Sequence, residues 1–182
     1  MKGKQLLAAL LASACVLAAS GCVAKSASVE NLMKDTKKEQ TESLYDTNVV
    51  QDTATALTGF GIKLLQNAMV EANPLVSPLS VASALSMTAN GALGETKTQM
   101  EQALGADTGS LNAYFSVLQA YLKDNQQMKL ANSIWMKDTD TLHIKDAFLQ
   151  QNANVFGAGI YSAPFDDTTK TAINNWDDPG DH

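Results

Sequence analysis

The spacing of apolar side chains changes from helical to alternating between Lys123 and Met128. Before this point apolar residues recur every three or four positions, which is typical of amphipathic helices. After it, the residues from Met128 to Lys137 alternate between two sets of side chains, as in a strand with two distinct faces. No internal repeat accompanies the change. We therefore predict one α+β domain in which helices pack on a sheet.

Helices dominate the sequence ahead of the change in period. Ser77 followed by Pro78 marks a helix start, because serine caps a helix and proline fits its first turn. Ser110 is predicted to cap a later helix, and Gly105 to end the helix before it. The predicted segments are helices over 49–71, 78–90, 95–104 and 110–123 and a short strand over 73–77. Apolar or small residues lie on every side of the helix over 78–90, so we predict that it is buried and central.

Strands and helices alternate in the rest of the chain. The predicted segments are strands over 128–137 and 157–165 and helices over 144–156 and from 168 to 176. With 182 residues, of which 45% are hydrophobic, the chain is long enough to bury a sizeable core.

The first 21 residues are typical of an export signal. Lys2 and Lys4 give a charged start, and 6–19 is an unbroken run of apolar and small residues that is too short to span a bilayer permanently. Small residues then precede Cys22, which resembles the bacterial lipobox, in which the cysteine is acylated after cleavage. We predict lipid attachment at Cys22, and so an exported cell-envelope lipoprotein that faces outside the cytoplasm.

Two alternatives to acylation of Cys22 remain. Cys15 also follows small residues, but cleavage there leaves an apolar core of only 6–11, shorter than the ~7–15 residues of an ordinary signal peptide. The other alternative is a secreted protein with one free thiol near its start. If Cys15 is removed and Cys22 is acylated, no disulfide forms, and two or three acyl chains hold the protein on its membrane.

Residues 22–48 are mostly polar and charged, and we predict a flexible tether between the anchor and the domain. A short amphipathic helix around Leu32 and Met33 is the alternative.

The charge of the chain excludes one class of partner. All 13 basic residues are lysines, and 19 residues are acidic. Loss of Lys2 and Lys4 with the signal leaves 11 basic against 19 acidic residues, a net charge of −8. This is the wrong sign for a nucleic-acid partner.

Four segments resemble the serpin family of serine protease inhibitors. They are 73–81 (NPLVSPLSV), 90–96 (NGALGET), 130–135 (LANSIW) and 172–176 (AINNW), which are similar to the family's strand-to-helix signature, the loop after it, the first strand of its main sheet and the helix that crosses this sheet. The segments occur in the family's order between residues 49 and 176, so the sequence resembles the N-terminal part of a serpin domain.

The resemblance implies a fold, a partner and a mechanism. The expected fold is helices packed on a mostly antiparallel sheet. Family members offer a target serine or cysteine protease a reactive loop as bait, and the cleaved loop inserts into the main sheet. Ser77, Ser80 and Asn132 would lie in or near the shutter, where that sheet parts. Without the resemblance, Ser77 is simply a helix cap and Ser80 a closely packed small residue.

The resemblance ends at Trp176. The family continues with valine and more helix, whereas residues 177–182 read DDPGDH, in which Pro179 and Gly180 break a helix. We interpret this tail as a frameshift, a truncated gene or a cloning scar. The resemblance places the reactive bond and its loop beyond this chain, so we expect the 182 residues to be inactive alone.

No catalytic residue, metal ligand or cofactor is predicted. His143 and His182 are the only histidines, and the sequence has no phosphate-binding loop or activated-nucleophile motif, so we do not expect an enzyme. A second functional class is a non-inhibitory, serpin-like binding lipoprotein. Some family members bind sulfated polysaccharides on the helix that corresponds to 110–123, but its only basic residue here is Lys123, so no polysaccharide site is expected.

Overall fold

A computed structural model describes residues 28–39, 45–69, 73–123, 125, 127–139 and 141–176. Its elements, in chain order, are β1 (Glu30–Asn31), α1 (Thr47–Ala68), α2 (Pro78–Ala89), α3 (Gly94–Leu104), α4 (Thr108–Leu122), β2 (Ser133–Lys137), α5 (Asp146–Phe156), β3 (Gly159–Ala163) and α6 (Asp167–Asn174). The α+β prediction is confirmed, because the period changes where the first four helices give way to β2. The predicted signal, Cys15, Cys22 and the tail at 177–182 lie outside the described residues.

Strand β3 lies in the middle of a three-stranded sheet with the order β1-β3-β2. Strands β2 and β3 run parallel, with Ile134 opposite Ile160, and β1 runs antiparallel to β3. Helix α5 connects β2 to β3, as parallel pairing requires. The described sheet is therefore mixed, with its longer pair parallel rather than antiparallel.

The core lies between the inner faces of α1, α2, α4 and α5. It includes Leu57, Met87, Leu111, Phe115 and Phe156. The rings of Phe115 and Phe156 lie 5.1 Å apart at 43°. Because burial of one such side chain stabilises a fold by roughly 1.5–3 kcal/mol, this shared core holds α1, α2, α4 and α5 together.

The strands are shorter than the sequence predicts. The strand predicted over 128–137 begins at Ser133, and the one predicted over 157–165 is confined to Gly159–Ala163. Residues 73–77 pair with no strand in the described part of the chain, and Leu75 is 98% exposed. A strand requires a partner for its backbone, and alternation alone does not show where pairing begins.

Helix α2 is buried along one side only, so the prediction of burial all round is wrong for the described residues. Ser83, Ser86 and Met87 are buried, whereas Val81 and Thr88 are exposed. Small residues on every side of α2 would permit close packing all round, but the described neighbouring elements cover only one side of this helix.

The predicted cap of α4 is also wrong. Asp107, not Ser110, is the N-cap, and its carboxylate accepts hydrogen bonds from Ser110 N at 3.0 Å and from Ser110 Oγ at 2.6 Å. Both residue types cap helices well. The earlier start is stabilised by the Glu101 carboxylate, which accepts the otherwise unpaired N–H of Thr108 at 2.8 Å.

Part of the predicted tether is folded. Within 22–48, residues 28–39 lie against β3 and α5. Leu32 N donates to Ile160 O at 2.9 Å, Glu39 N donates to Asn154 Oδ1 at 2.9 Å, and Lys37 O accepts from Gln150 Nε2 at 2.7 Å. Residues 32–35 form a turn rather than the alternative helix. The polar composition of this segment did not indicate that it folds, because its contacts are made largely by backbone groups.

Candidate functional site at the contact between helix α2 and strand β2

The first turn of α2 carries Ser77 and Ser80. Ser77 has extended backbone angles (φ −112°, ψ 93°) and accepts a hydrogen bond from Ser80 N at 3.4 Å, so the predicted N-cap is confirmed. The two hydroxyls lie 2.8 Å apart and both residues are exposed. Pro78 fixes this turn against α1, since a Cβ on Gly61 would lie 2.9 Å from the Pro78 Cβ. Only glycine at position 61 permits this approach.

Asn132 lies immediately before β2 and links three elements. Its Oδ1 accepts from Ser83 Oγ on α2 at 3.0 Å. Its Nδ2 donates to the carbonyl of Phe156, at the end of α5, at 3.2 Å. The backbone carbonyl of Asn132 accepts from Gly159 N, at the start of β3, at 2.9 Å. One side chain therefore ties α2 to the end of the sheet.

Helix α4 joins the same group through Gln119, whose Nε2 donates to Phe156 O at 2.7 Å. We call Ser83, Asn132, Phe156 and Gln119 the α2–β2 polar contact. At the C-terminal end of α2, the side-chain amides of Asn90 and Asn112 exchange hydrogen bonds of 3.1 and 2.8 Å, so α4 is also bonded directly to α2.

The three residues singled out from the sequence lie in two places. Ser77 and Ser80 bond to each other at the exposed first turn, while Asn132 bonds to Ser83 and Phe156. Sequence reasoning missed Ser83 as a site residue. The spacing of the serines could have identified it, because Ser83 follows Ser80 by three positions and thus lies near it on the helix surface. The shutter role of Ser77, Ser80 and Asn132 stays a prediction.

Neutral hydroxyl and amide groups make up the α2–β2 polar contact, which is suited to holding elements together rather than to acid-base chemistry. Across the described residues, no three His, Cys, Asp or Glu side chains are grouped so that they could hold a metal ion. Nor does this part of the chain include a helix with the length and apolar character needed to cross a membrane.

Two solved serpin structures are similar to this chain in fold. The thermophilic serpin tengpin in its native state matches with a TM-score of 0.68 and 40% identity, over 82% of this chain and 39% of tengpin. A loop C-sheet serpin polymer matches with a TM-score of 0.63 and 41% identity, over 77% of this chain and 38% of its own. The fold is thus part of the serpin fold, and it corresponds to 39% and 38% of these two solved chains.

The sequence model of the family described as Serpin (serine protease inhibitor) matches residues 55–178, more than half of the chain. The chain belongs to the serpin family. It is 32% identical to human (Homo sapiens) neuroserpin over 57% of this chain, and 31% identical to the leukocyte elastase inhibitor of Sus scrofa over 70% of this chain. It spans 27% of the length of the first relative and 36% of the second.

Proposed function

We propose that these residues form the N-terminal structural part of an inhibitor of serine proteases that acts by inserting its cleaved reactive loop into the main sheet. The pig relative is named as an inhibitor of leukocyte elastase, which supports a protease as the partner of the whole protein. In this proposal α2 and β2 belong to the shutter, where the sheet opens.

One observation carries the proposal: the hydrogen bond from Ser83 to Asn132 at the start of an edge strand. In the described part of the chain, β2 pairs with β3 on one side and with no strand on the other. Unpaired N–H and C=O groups along that side are a template for further strands. A neutral hydrogen bond contributes only ~1 kcal/mol net, so it can hold α2 to the sheet and still break when a strand enters.

We expect the reactive loop, which serves as bait for the protease, to lie in the rest of the serpin domain. The chain spans 36% of the pig inhibitor, and we expect the cleaved loop and the strands that flank its insertion to come from the remaining length. The 182 residues alone are then scaffold, and we expect them to leave elastase fully active and to form no denaturant-stable complex.

A chimera tests the inhibitor function directly. Residues 28–176 would replace the matching part of pig leukocyte elastase inhibitor, and complexes with leukocyte elastase would be resolved on a denaturing gel. We expect a complex stable to denaturant. A chimera that folds, as judged by circular dichroism, but is simply digested would contradict the inhibitor proposal and favour the non-inhibitory binding lipoprotein.

Matched variants of the chimera then test the site. Asn132→Ala should lower the fraction of inhibitor that is cleaved without trapping elastase, because the bond that must break when the strand enters is already absent. Asn67→Ala is the control, since Asn67 is exposed and bonds only within α1, to Lys63 O. If both variants give the same ratio of inhibitor that traps elastase to inhibitor that is only cleaved, the α2–β2 polar contact has no part in insertion.

We also propose that Cys22 carries lipid and anchors the exported protein. Its support comes from the sequence alone, because Cys22 lies outside the described residues. Strand β1 begins at Glu30, eight residues after Cys22. At ~3.4 Å per residue, the domain would lie within about 30 Å of the bilayer, a shorter maximum reach than a tether ending at residue 48 would give. Labelled palmitate should enter the protein and its Cys15→Ser variant but not Cys22→Ser; label in Cys22→Ser would exclude this anchor.

A further inference from the structure

Two buried polar atoms lack a hydrogen-bond partner among the described residues. They are Ser86 Oγ on α2 and Asn152 Oδ1 on α5, and both residues are 0% exposed. An unpaired polar group in a protein interior is costly, and such groups are few in native proteins. Two of them in neighbouring helices require an explanation.

The orientation of the Asn152 amide is fixed by its other end. Asn152 Nδ2 donates to Phe148 O at 2.9 Å, one turn earlier in α5. Exchanging the amide N and O would set two acceptors against each other. Oδ1 is therefore the atom that lacks a partner, and it requires a donor.

The contacts at the two ends of α2 and α5 indicate that these helices run antiparallel, with Ser86 and Asn152 at similar levels. At one end of their contact, Ser83 connects through Asn132 to Phe156 O. At the other end, a Cβ on Gly91 would lie 3.0 Å from the Phe148 ring. Ser86 is three positions from Ser83, and Asn152 is four from Phe156. At ~1.5 Å of rise per residue, the two levels differ by about 1.5 Å.

We propose that one buried water molecule binds between α2 and α5, donating a hydrogen bond to Asn152 Oδ1 and accepting one from Ser86 Oγ–H. Ser86 and Asn152 do not bond to each other directly, and a bridging water satisfies both groups, as buried waters commonly do. The water gives α2 a continuous polar row on one face, from Ser83 with Asn132 through Ser86 to Asn90 with Asn112. It is independent of the protease-inhibitor proposal.

The sign of one stability change tests the site. If Ser86 Oγ bonds to water, Ser86→Ala leaves a buried group unpaired and should lower the folding equilibrium constant about fivefold or more. If the hydroxyl has no partner, the same substitution removes a buried polar group at no loss and should raise the constant. Urea unfolding followed by tryptophan fluorescence measures the difference.

Thr88→Ala is the control on the same helix. Its hydroxyl is exposed and bonds only to Ala84 O, so the variant reports what alanine gains from helix propensity alone. We expect its folding constant to stay within about threefold of the parent chain. A Ser86→Ala chain at least as stable as Thr88→Ala would overturn the proposal.

A double-mutant cycle and a crystal structure complete the test. Ser86→Ala and Asn152→Ala should be coupled by about fivefold in the folding constant, because either one removes the shared water. Additive effects would overturn the proposal. Should the variants fail to fold, a crystal structure of the unaltered chain decides, since it should show one water within about 2.6–3.2 Å of both atoms; density without that water would also overturn the proposal.

Discussion

The first turn and the middle of α2 carry the same residue type in different surroundings. Ser77 and Ser80 are exposed and bond to each other. Ser83 and Ser86 are 1% and 0% exposed, and Ser83 bonds to Asn132 at the start of the sheet. A hydroxyl near water therefore stabilises only its own helix, whereas a buried hydroxyl links separate elements, and its loss leaves a buried partner group without a hydrogen bond.

Removal of the partner amide should give the largest effect. Asn132→Ala deletes the acceptor of Ser83 and one donor to Phe156 O. Because the Ser83 hydroxyl then stays buried without a partner, we expect the free energy of unfolding to fall by about 2–3 kcal/mol. Urea unfolding measures it. Asn67→Ala, exposed on α1, should change the same free energy by no more than ~0.5 kcal/mol, and equal losses would remove the distinction between the two regions.

Two serines on one helix give a direct comparison. Ser83→Ala should lower the free energy of unfolding by about 1–2 kcal/mol, because the half-buried Asn132 Oδ1 loses its donor. Ser80→Ala, the same chemical change one turn earlier, should cost no more than ~0.5 kcal/mol, since Ser80 is exposed and its N–H still bonds to Ser77. A larger loss for Ser80 than for Ser83 would reverse the comparison.

The sequence could predict the first of these regions but not the second. Ser77 and Pro78 are a local signal, because a cap is formed by residues next to each other. The bond between Ser83 and Asn132 joins residues 49 positions apart. Its geometry depends on how α2, α5 and β2 pack, and periodicity carries no information on that packing. The family resemblance named Asn132, but it did not give the partner.

The same division applies to the fold. Every predicted helix formed within a few residues of its predicted limits, because apolar spacing and caps are local. Strand limits, the parallel pairing of β2 with β3 and the docking of residues 28–39 were not predicted. These depend on backbone groups that find partners far away in the sequence, and side-chain pattern does not report them.

Loss of the hydroxyl cap should have a smaller effect than loss of the buried bond. Ser77→Ala leaves the Ser80 N–H without its acceptor, and we expect a loss of about 1 kcal/mol in the free energy of unfolding. Ser77→Asp, which restores a capping oxygen, should recover most of it. Recovery by Asp but not by a non-capping residue such as valine identifies capping as the cause; no loss in Ser77→Ala would show that water replaces the serine fully.

The caps of α2 and α4 differ in their response to pH, and this gives the smallest effect. Hydrogen bonds from the Ser110 side chain and backbone N–H lower the pKa of Asp107 below its usual 3.8. Since the folded-state pKa lies below the unfolded one, the charged cap stabilises fully above about pH 4 and loses this contribution as pH falls through the folded pKa. Hydrogen bonds from Thr108 lower the pKa of Glu101 in the same direction.

Asp107→Asn separates this carboxylate from all other titrating groups, because asparagine keeps a capping oxygen without the charge. The parent chain should be more stable than the variant by about 0.5 kcal/mol at pH 7, and the difference should shrink as the pH falls below about 4 and approaches the lowered pKa of the folded-state carboxyl. At the α2 cap, neither serine nor asparagine titrates over this range. The difference in stability between Ser77→Asn and the parent chain should therefore stay constant. Thermal melts of the three chains between pH 7 and pH 3 measure both trends. A difference for Asp107→Asn that grows as pH falls would contradict the charged cap, because protonation can only weaken a contribution that depends on the negative charge.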